Sequence, residues 1–229
     1  MNVSTRKSLH AMSQPLSPGQ PWPIGFTATC LRATLYILLV AGLAQGAYIE
    51  ALHFPEVRFS EYGFTELAQS AVLLTASLLL LYTRQVLKVL PTVTLLMFAF
   101  TFSSFIREQD YFLDTRVAYH TWKVLVALVI VPILFWVIRE RKRFVEEFAS
   151  YANSFSFGLF AAGVLTTYVF SRLYGRQDFW MAVMEEHYVR TFKDAAEEVV
   201  ELLGYALILI AVIELTLLAR RWALARRKG

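Results

Sequence analysis

The sequence predicts an all-α polytopic membrane protein, a six-transmembrane-helix bundle with an interfacial amphipathic helix before the last span. Three observations carry this. Hydrophobic residues fill 57% of the 229 positions and charged ones only 17%, where soluble domains have about half and about a quarter. Six apolar stretches run roughly 30–51, 64–83, 89–106, 117–138, 155–173 and 197–219. Each is about 18 to 25 residues long, enough at 1.5 Å per residue to cross a hydrocarbon core about 30 Å thick, and all should be helices because lipid offers no partner to unpaired backbone groups. Finally, Lys and Arg alternate from side to side between these stretches, as real spans require.

Taken in order, residues 1–28 contain most of the prolines, with Ser and Gln among them ("SQPLSPGQPWPIG"), which predicts a disordered cytoplasmic tail ahead of a transmembrane domain over 29–220. The first span is read as an uncleaved helix, because Arg6 and Lys7 lie far upstream of its apolar run. The tail with Arg32, the link at Arg84 and Lys88, the run "RERKR" and the end "RRWALARRKG" (220–229) carry fourteen of the 22 bases and three acids; the opposite side carries fourteen acids and eight bases. This places both termini in the cytoplasm of a bacterial inner membrane and the acidic side outside. The run "RERKRFVEEF" serves as an orientation signal, with anionic headgroups as its other use. The stretch "QDFWMAVMEEHYVRTF" spaces Phe179, Val183, Met184, Tyr188 and Phe192 as a helix lying in the interface would. A single cysteine, Cys30, excludes a disulfide framework and any Cys-rich metal site. The net charge of +4 is strung between apolar spans and makes no nucleic-acid surface.

The outer side concentrates the charge. Helical spacing puts Arg116, His120 and Lys123 on one face of span four, and Asp194, Glu197 and Glu201 on a face of span six with Glu198 beside them. Span two opens with Glu66, Gln69 and Ser70 on one stripe, while Arg107, Glu108, Asp110 and Asp114 crown the junction of spans three and four. Helix starts account for several of these singly: acids in a first turn meet the macrodipole, and Asp114 suits the N-cap of span four. Trp122, Tyr111 and Trp180 fit an aromatic belt. Lys123 and Glu201 lie deeper than capping requires, so the expectation is a cavity in which they meet. Glu214, near the other end of span six, is expected to pair with Arg220 and Arg221.

His53, His120 and His187 all fall on the outer side, and three imidazoles can hold zinc with one position open. No HExxH or His-rich tract accompanies them, so neither a metal nor another cofactor is expected, and His120 is read as a proton carrier.

The patterns "EYGFTE" (Glu61 to Glu66), "REQDYFLD", "HTWK" and "EEVVE" resemble those of a set of bacterial six-span inner-membrane proteins, over residues 30–219. A looser similarity is to ceramidase-like membrane hydrolases, which place acids and histidines at helix ends around a metal. That resemblance implies zinc-dependent hydrolysis, but this chain has six expected spans where they have seven, and it lacks an H-x-x-x-H pair in the last.

Three functional readings follow. In the first, Lys123 and Arg107 take the anionic part of a polar solute or lipid headgroup, while Glu66, Glu197 and Glu201 meet a cationic part or exchange protons, with or without transport. In the second, a buried glutamate and His120 perform acid–base hydrolysis of a lipid-linked substrate. In the third, the bundle is a scaffold in a membrane complex.

Overall fold

A computed structural model describes residues 25–53, 59 and 63–226, and among these every regular element is helical. In chain order the elements are α1 (Phe26–His53), α2 (Phe64–Tyr82, continued by a π-turn at Thr83–Leu87), α3 (Pro91–Arg107), α4 (Asp110–Arg116), α5 (Thr121–Arg139), α6 (Arg141–Ala152), α7 (Phe155–Leu165, continued by a π-turn at Thr166–Phe170 and by Ser171–Tyr174), α8 (Gln177–Met184) and α9 (Arg190–Arg226). Five helices, α1, α2, α5, α7 and α9, are long and apolar enough to cross a membrane by length and composition, and α3 is a shorter apolar helix of 17 residues. The chain is therefore an all-α polytopic membrane bundle.

The centre of the bundle is α9, whose 37 residues extend about 55 Å at 1.5 Å per residue and so project beyond a 30 Å core at both ends. Tyr205, Ala206, Ile208, Ala211, Val212 and Leu215 are completely buried along it, packed against α2 and α7. Small residues set the tightest contact. A Cβ at Gly204 would lie 1.9 Å from Thr167 Oγ1, and one at Gly163 would lie 2.7 Å from the Gly204 carbonyl oxygen. Backbone thus meets backbone between α7 and α9, the kind of approach that small residues permit where no hydrophobic effect drives helices together. By contrast, α1 and α5 turn Leu35, Ile37, Leu38, Leu128, Val131 and Phe135 outward, as helices facing lipid do.

Two helix starts lack a capping side chain of their own and borrow a glutamate. Gly63 precedes α2 and Leu90, in the left-handed region at φ 47, precedes α3. Glu50, at the end of α1, accepts from Thr65 N–H at 2.8 Å and from the Thr65 hydroxyl at 2.6 Å. Glu147, on α6, accepts from Thr92 and Val93 N–H at 2.7 and 3.1 Å. Each carboxylate meets the free N–H groups and positive end of a helix dipole.

Several expectations change. Span four begins at Thr121 rather than 117, because His120 adopts φ 68 and breaks the chain from α4. Asp114 consequently lies inside α4 and caps nothing in α5; its Oδ1 is buried without a hydrogen-bond partner among the described residues. The run "RERKRFVEEF" forms a helix, α6, which turns Phe144, Phe148 and Tyr151 toward the bundle. The expected interfacial helix ends at Met184, where Glu185 takes φ 49, and Trp180 rather than the exposed Phe179 or Val183 is its buried member. The last helix continues to Arg226, through most of the expected basic tail. Glu214 pairs with Arg32 Nη1 at 2.9 Å and accepts from the Tyr36 hydroxyl at 2.6 Å, two partners on α1 beyond the arginines expected on its own helix. Most of the tail expected over 1–28 lies outside the described residues, as do 227–229 and the first two residues of "EYGFTE".

Candidate functional site

The acidic end of the bundle holds a cavity of about 360 Å³ lined by Glu66, Arg107, Glu108, Asp110, Trp122, Arg172, Glu198 and Glu201. It is assembled from α2, α3, α4, α5, α7 and α9. Along α9, Glu197, Glu201 and Tyr205 recur every four residues and share one face, which the close α7–α9 approach at Gly163 and Gly204 holds against the end of α7. Gly175 keeps room there as well, since a Cβ on it would lie 2.6 Å from the Glu197 carboxylate.

Glu201 is the hub, with a side chain 3% exposed. Its Oε1 faces Arg172 Nη2 at 2.7 Å and the Ser171 hydroxyl at 3.2 Å, and its Oε2 faces Arg107 Nη2 at 3.2 Å. Arg107 also donates to Glu108 at 2.7 Å and to the Tyr205 oxygen at 3.1 Å, and Tyr205 in turn donates to Glu108 at 2.8 Å. Arg172 reaches Glu197 at 2.6 Å, where Lys193 adds a second cation. Glu198 is placed differently. Its carboxylate accepts from the Gln69 amide at 2.9 Å, and no base bonds to it among the described residues. A charged group this close to lipid needs such partners, because a lone ion there is costly.

Among the described residues, the two guanidinium groups retain unused donors. Named contacts engage Nε and Nη2 of Arg107, and the terminal nitrogens of Arg172, each with N–H groups to spare from a fork of five. Against these two cations the lining sets five carboxylates, Glu66, Glu108, Asp110, Glu198 and Glu201. Among the described lining residues, carboxylates therefore outnumber guanidinium groups.

Of the residues singled out from the sequence, the structure brings together Glu66, Arg107, Glu108, Asp110, Glu198 and Glu201, with Glu197 bonded just behind. It leaves out Lys123, which is exposed, with its ammonium 5.4 Å from the Trp122 ring, beside an apolar groove of α5. The expected meeting of Lys123 with Glu201 does not occur, since α5 starts four residues late and places Lys123 in its first turn. His120 and Arg116 are exposed, and the His120 ring lies against Tyr119. Asp194 pairs with Lys193 and Arg190 outside the cavity. His53, His120 and His187 belong to separate elements, and among the described residues no three His, Cys, Asp or Glu side chains stand close enough to hold a metal ion.

Arg172, Ser171 and Tyr205 were not anticipated. A signal for Arg172 was present, an arginine closing an otherwise apolar span, and Tyr205 stands one turn from Glu201 on the acidic face. Comparison with models of known families, with curated proteins and with solved structures gives no match.

Proposed function

We propose that the protein is a six-span component of a bacterial inner membrane, with both termini cytoplasmic, whose outward-facing cavity binds a ligand bearing an ammonium group, either a polar amine solute or a lipid headgroup. The observation that carries this is the excess of five carboxylates over two guanidinium groups in one 360 Å³ cavity. A net-negative cavity in low dielectric is completed by a cation, and one bearing phosphate or carboxylate alongside also engages the spare donors of Arg107 and Arg172.

Orientation rests on the bases: their alternation along the sequence assigns fourteen of 22 to one side, which is read as the cytoplasmic one. Six spans rather than five are supported by α3, whose first turn is capped by Glu147 of the basic end and whose last leads into Gln109, bonded to Ser70 at the acidic end. At about 25 Å it needs only slight thinning of the bilayer to cross.

The test is thermal stabilisation of the purified protein by phosphoethanolamine, ethanolamine and inorganic phosphate. Both amines should raise Tm, phosphoethanolamine more, and Glu198→Gln should abolish the gain. No gain from either amine, or an equal gain from phosphate alone, would overturn the reading. A second reading, proton exchange at the same cavity, is favoured by Glu198, whose carboxylate is held by an amide rather than a base. It requires amine-driven proton flux in liposomes that Glu198→Gln removes.

A further inference from the structure

Glu214 lies about 20 Å along α9 from Glu201 and faces a separate cavity of about 560 Å³, walled by α1, by the junction of α6 with α7, and by α9. Both α1 and α7 pack on α9, so α9 forms the back of this slot and the other two its sides. Arg32 Nη1 and the Tyr36 hydroxyl engage both oxygens of Glu214, which neutralises that carboxylate within the protein. Among the described residues, Nε and Nη2 of Arg32 are left over from its fork of N–H groups. Arg221 has a contact of its own and enters through its charge alone, giving the described lining two guanidinium groups against one carboxylate.

The start of α7, with the positive end of its dipole, lies at the same cavity: Ser154 caps it by accepting from Phe157 N–H, and Ser154, Phe155 and Ser156 all line the space. Three exposed groups of the lining present acceptors. The Thr29 and Ser150 hydroxyls donate to the carbonyls of Gly25 and Glu146, and the Asn153 amide nitrogen donates to that of Ala149. Two hydroxyl oxygens and the Asn153 Oδ1 are therefore turned to receiving hydrogen bonds. The rest of the wall is apolar. Ala33 and Leu218 belong to it, with Phe155 70% exposed, and Leu31 and Leu35 on α1 are open as lipid-facing residues are.

We infer that this cavity holds the headgroup of an anionic phospholipid that also bears hydroxyl groups, as phosphatidylglycerol does. Its phosphate meets the remaining N–H groups of Arg32 beside the start of α7, its headgroup hydroxyls donate to Thr29, Ser150 and Asn153, and its acyl chains leave past Phe155 and Leu218 into the bilayer. Charge complementarity selects the phosphate, since a guanidinium fork with donors to spare pairs best with such an anion. Basic pockets between membrane helices take anionic headgroups in this way. The apolar wall selects a lipid over a free phosphate. The site is independent of the amine-binding cavity, with which it shares no lining residue.

The experiment counts the phosphatidylglycerol and phosphatidylethanolamine retained per chain, by mass spectrometry, after purification of the full chain from vesicles containing equal amounts of both. Wild type should retain phosphatidylglycerol in preference. Arg32→Gln should lower that preference roughly tenfold, as loss of a hydrogen bond to a charged group does. Ala33→Trp, which fills the cavity and leaves the Arg32–Glu214 pair in place, should lower it alike. Lys142→Gln, at an exposed base of α6 outside the cavity, should leave it unchanged. Equal retention of the two lipids, or a preference that survives both cavity variants, overturns the assignment. An equal loss in Lys142→Gln also overturns it, by showing a diffuse attraction to bases. In detergent, soluble glycerol 3-phosphate should raise Tm less than phosphatidylglycerol does; an equal gain gives the site to a free phosphate and overturns the lipid.

Discussion

The carboxylate of Glu50 accepts two hydrogen bonds from one residue, Thr65, through its backbone N–H and its hydroxyl. Glu50 closes the first turn of α2 from the far end of α1, and its other oxygen accepts from Phe59 N–H at 2.7 Å. Buried to 1% exposure, it satisfies donors that nothing nearer can reach.

Glu50→Ala should therefore cost about 1–3 kcal/mol, the range for a lost cap plus donors left unpaired, with Glu50→Gln costing less because one acceptor oxygen survives. Thermal unfolding in detergent micelles measures this. Equal midpoints for both variants and wild type would mean that these bonds contribute nothing. Glu147→Ala at the start of α3 should behave alike, with the loss felt at the opposite end of the bundle.

Glu201 neutralises two arginines at once. Glu201→Leu should destabilise by about 2–4 kcal/mol, because Arg107 and Arg172 then face lipid-depth surroundings without their shared anion, and their partial exposure keeps the cost below that of fully buried pairs. Lys123→Met should move stability by no more than about 0.5 kcal/mol, as an exposed residue outside the cavity would. A Lys123 effect as large as that of Glu201 would restore the pairing that the sequence suggested.

The α7–α9 contact makes a sharper prediction through its geometry. Gly204→Ala drives a methyl group into the Thr167 hydroxyl, so the helices must separate and Arg172 must move from Glu201, at a cost of about 1–3 kcal/mol. Thr167→Ala should relieve part of this, since the Thr167 nitrogen and the Gly163 carbonyl oxygen would still lie 2.9 and 3.0 Å from the new methyl group, giving a double variant more stable than Gly204→Ala alone. Additive losses in the double-mutant cycle would show that the two residues do not meet.

What could be read from the sequence divides along physical lines. Glu197 and Glu201 share a face because one unbroken helix carries both, and their spacing alone fixes it. Lys123 was misplaced by the same rule, applied across a break: with His120 in the left-handed region, 117 and 121 belong to different segments and the depth assigned to Lys123 fails. Glu147 stands in a run read as an orientation signal, and nothing local marks it as a cap, since the N–H groups it meets lie more than fifty residues away in sequence. Arg172 closes its span with no local mark of which neighbouring acid it serves. Local periodicity found the elements and their faces; pairings between distant segments depended on packing at two glycines that no periodicity reveals.

The attachment of α1 puts this dependence on distant pairings to its most direct test. Its buried residues are Ala47 and Glu50, so apolar packing holds it weakly and two polar clamps hold its ends: Glu50 on Thr65, and Arg32 with Tyr36 on Glu214. In the hydrocarbon region an interhelical polar contact is worth about 1–2 kcal/mol at most, since the separated helix finds other partners. Glu214→Gln should thus loosen the Arg32 end of α1 by about that amount, raising amide hydrogen exchange around Arg32–Tyr36 without changing it in α7. Because the clamps stand at opposite ends of the helix, Glu50→Ala and Glu214→Gln should add within about 0.5 kcal/mol. Arg32→Glu with Glu214→Arg should recover much of the single-variant loss, and failure of the swap to recover any of it would show that α1 is held by its lipid-facing surroundings rather than by this pair.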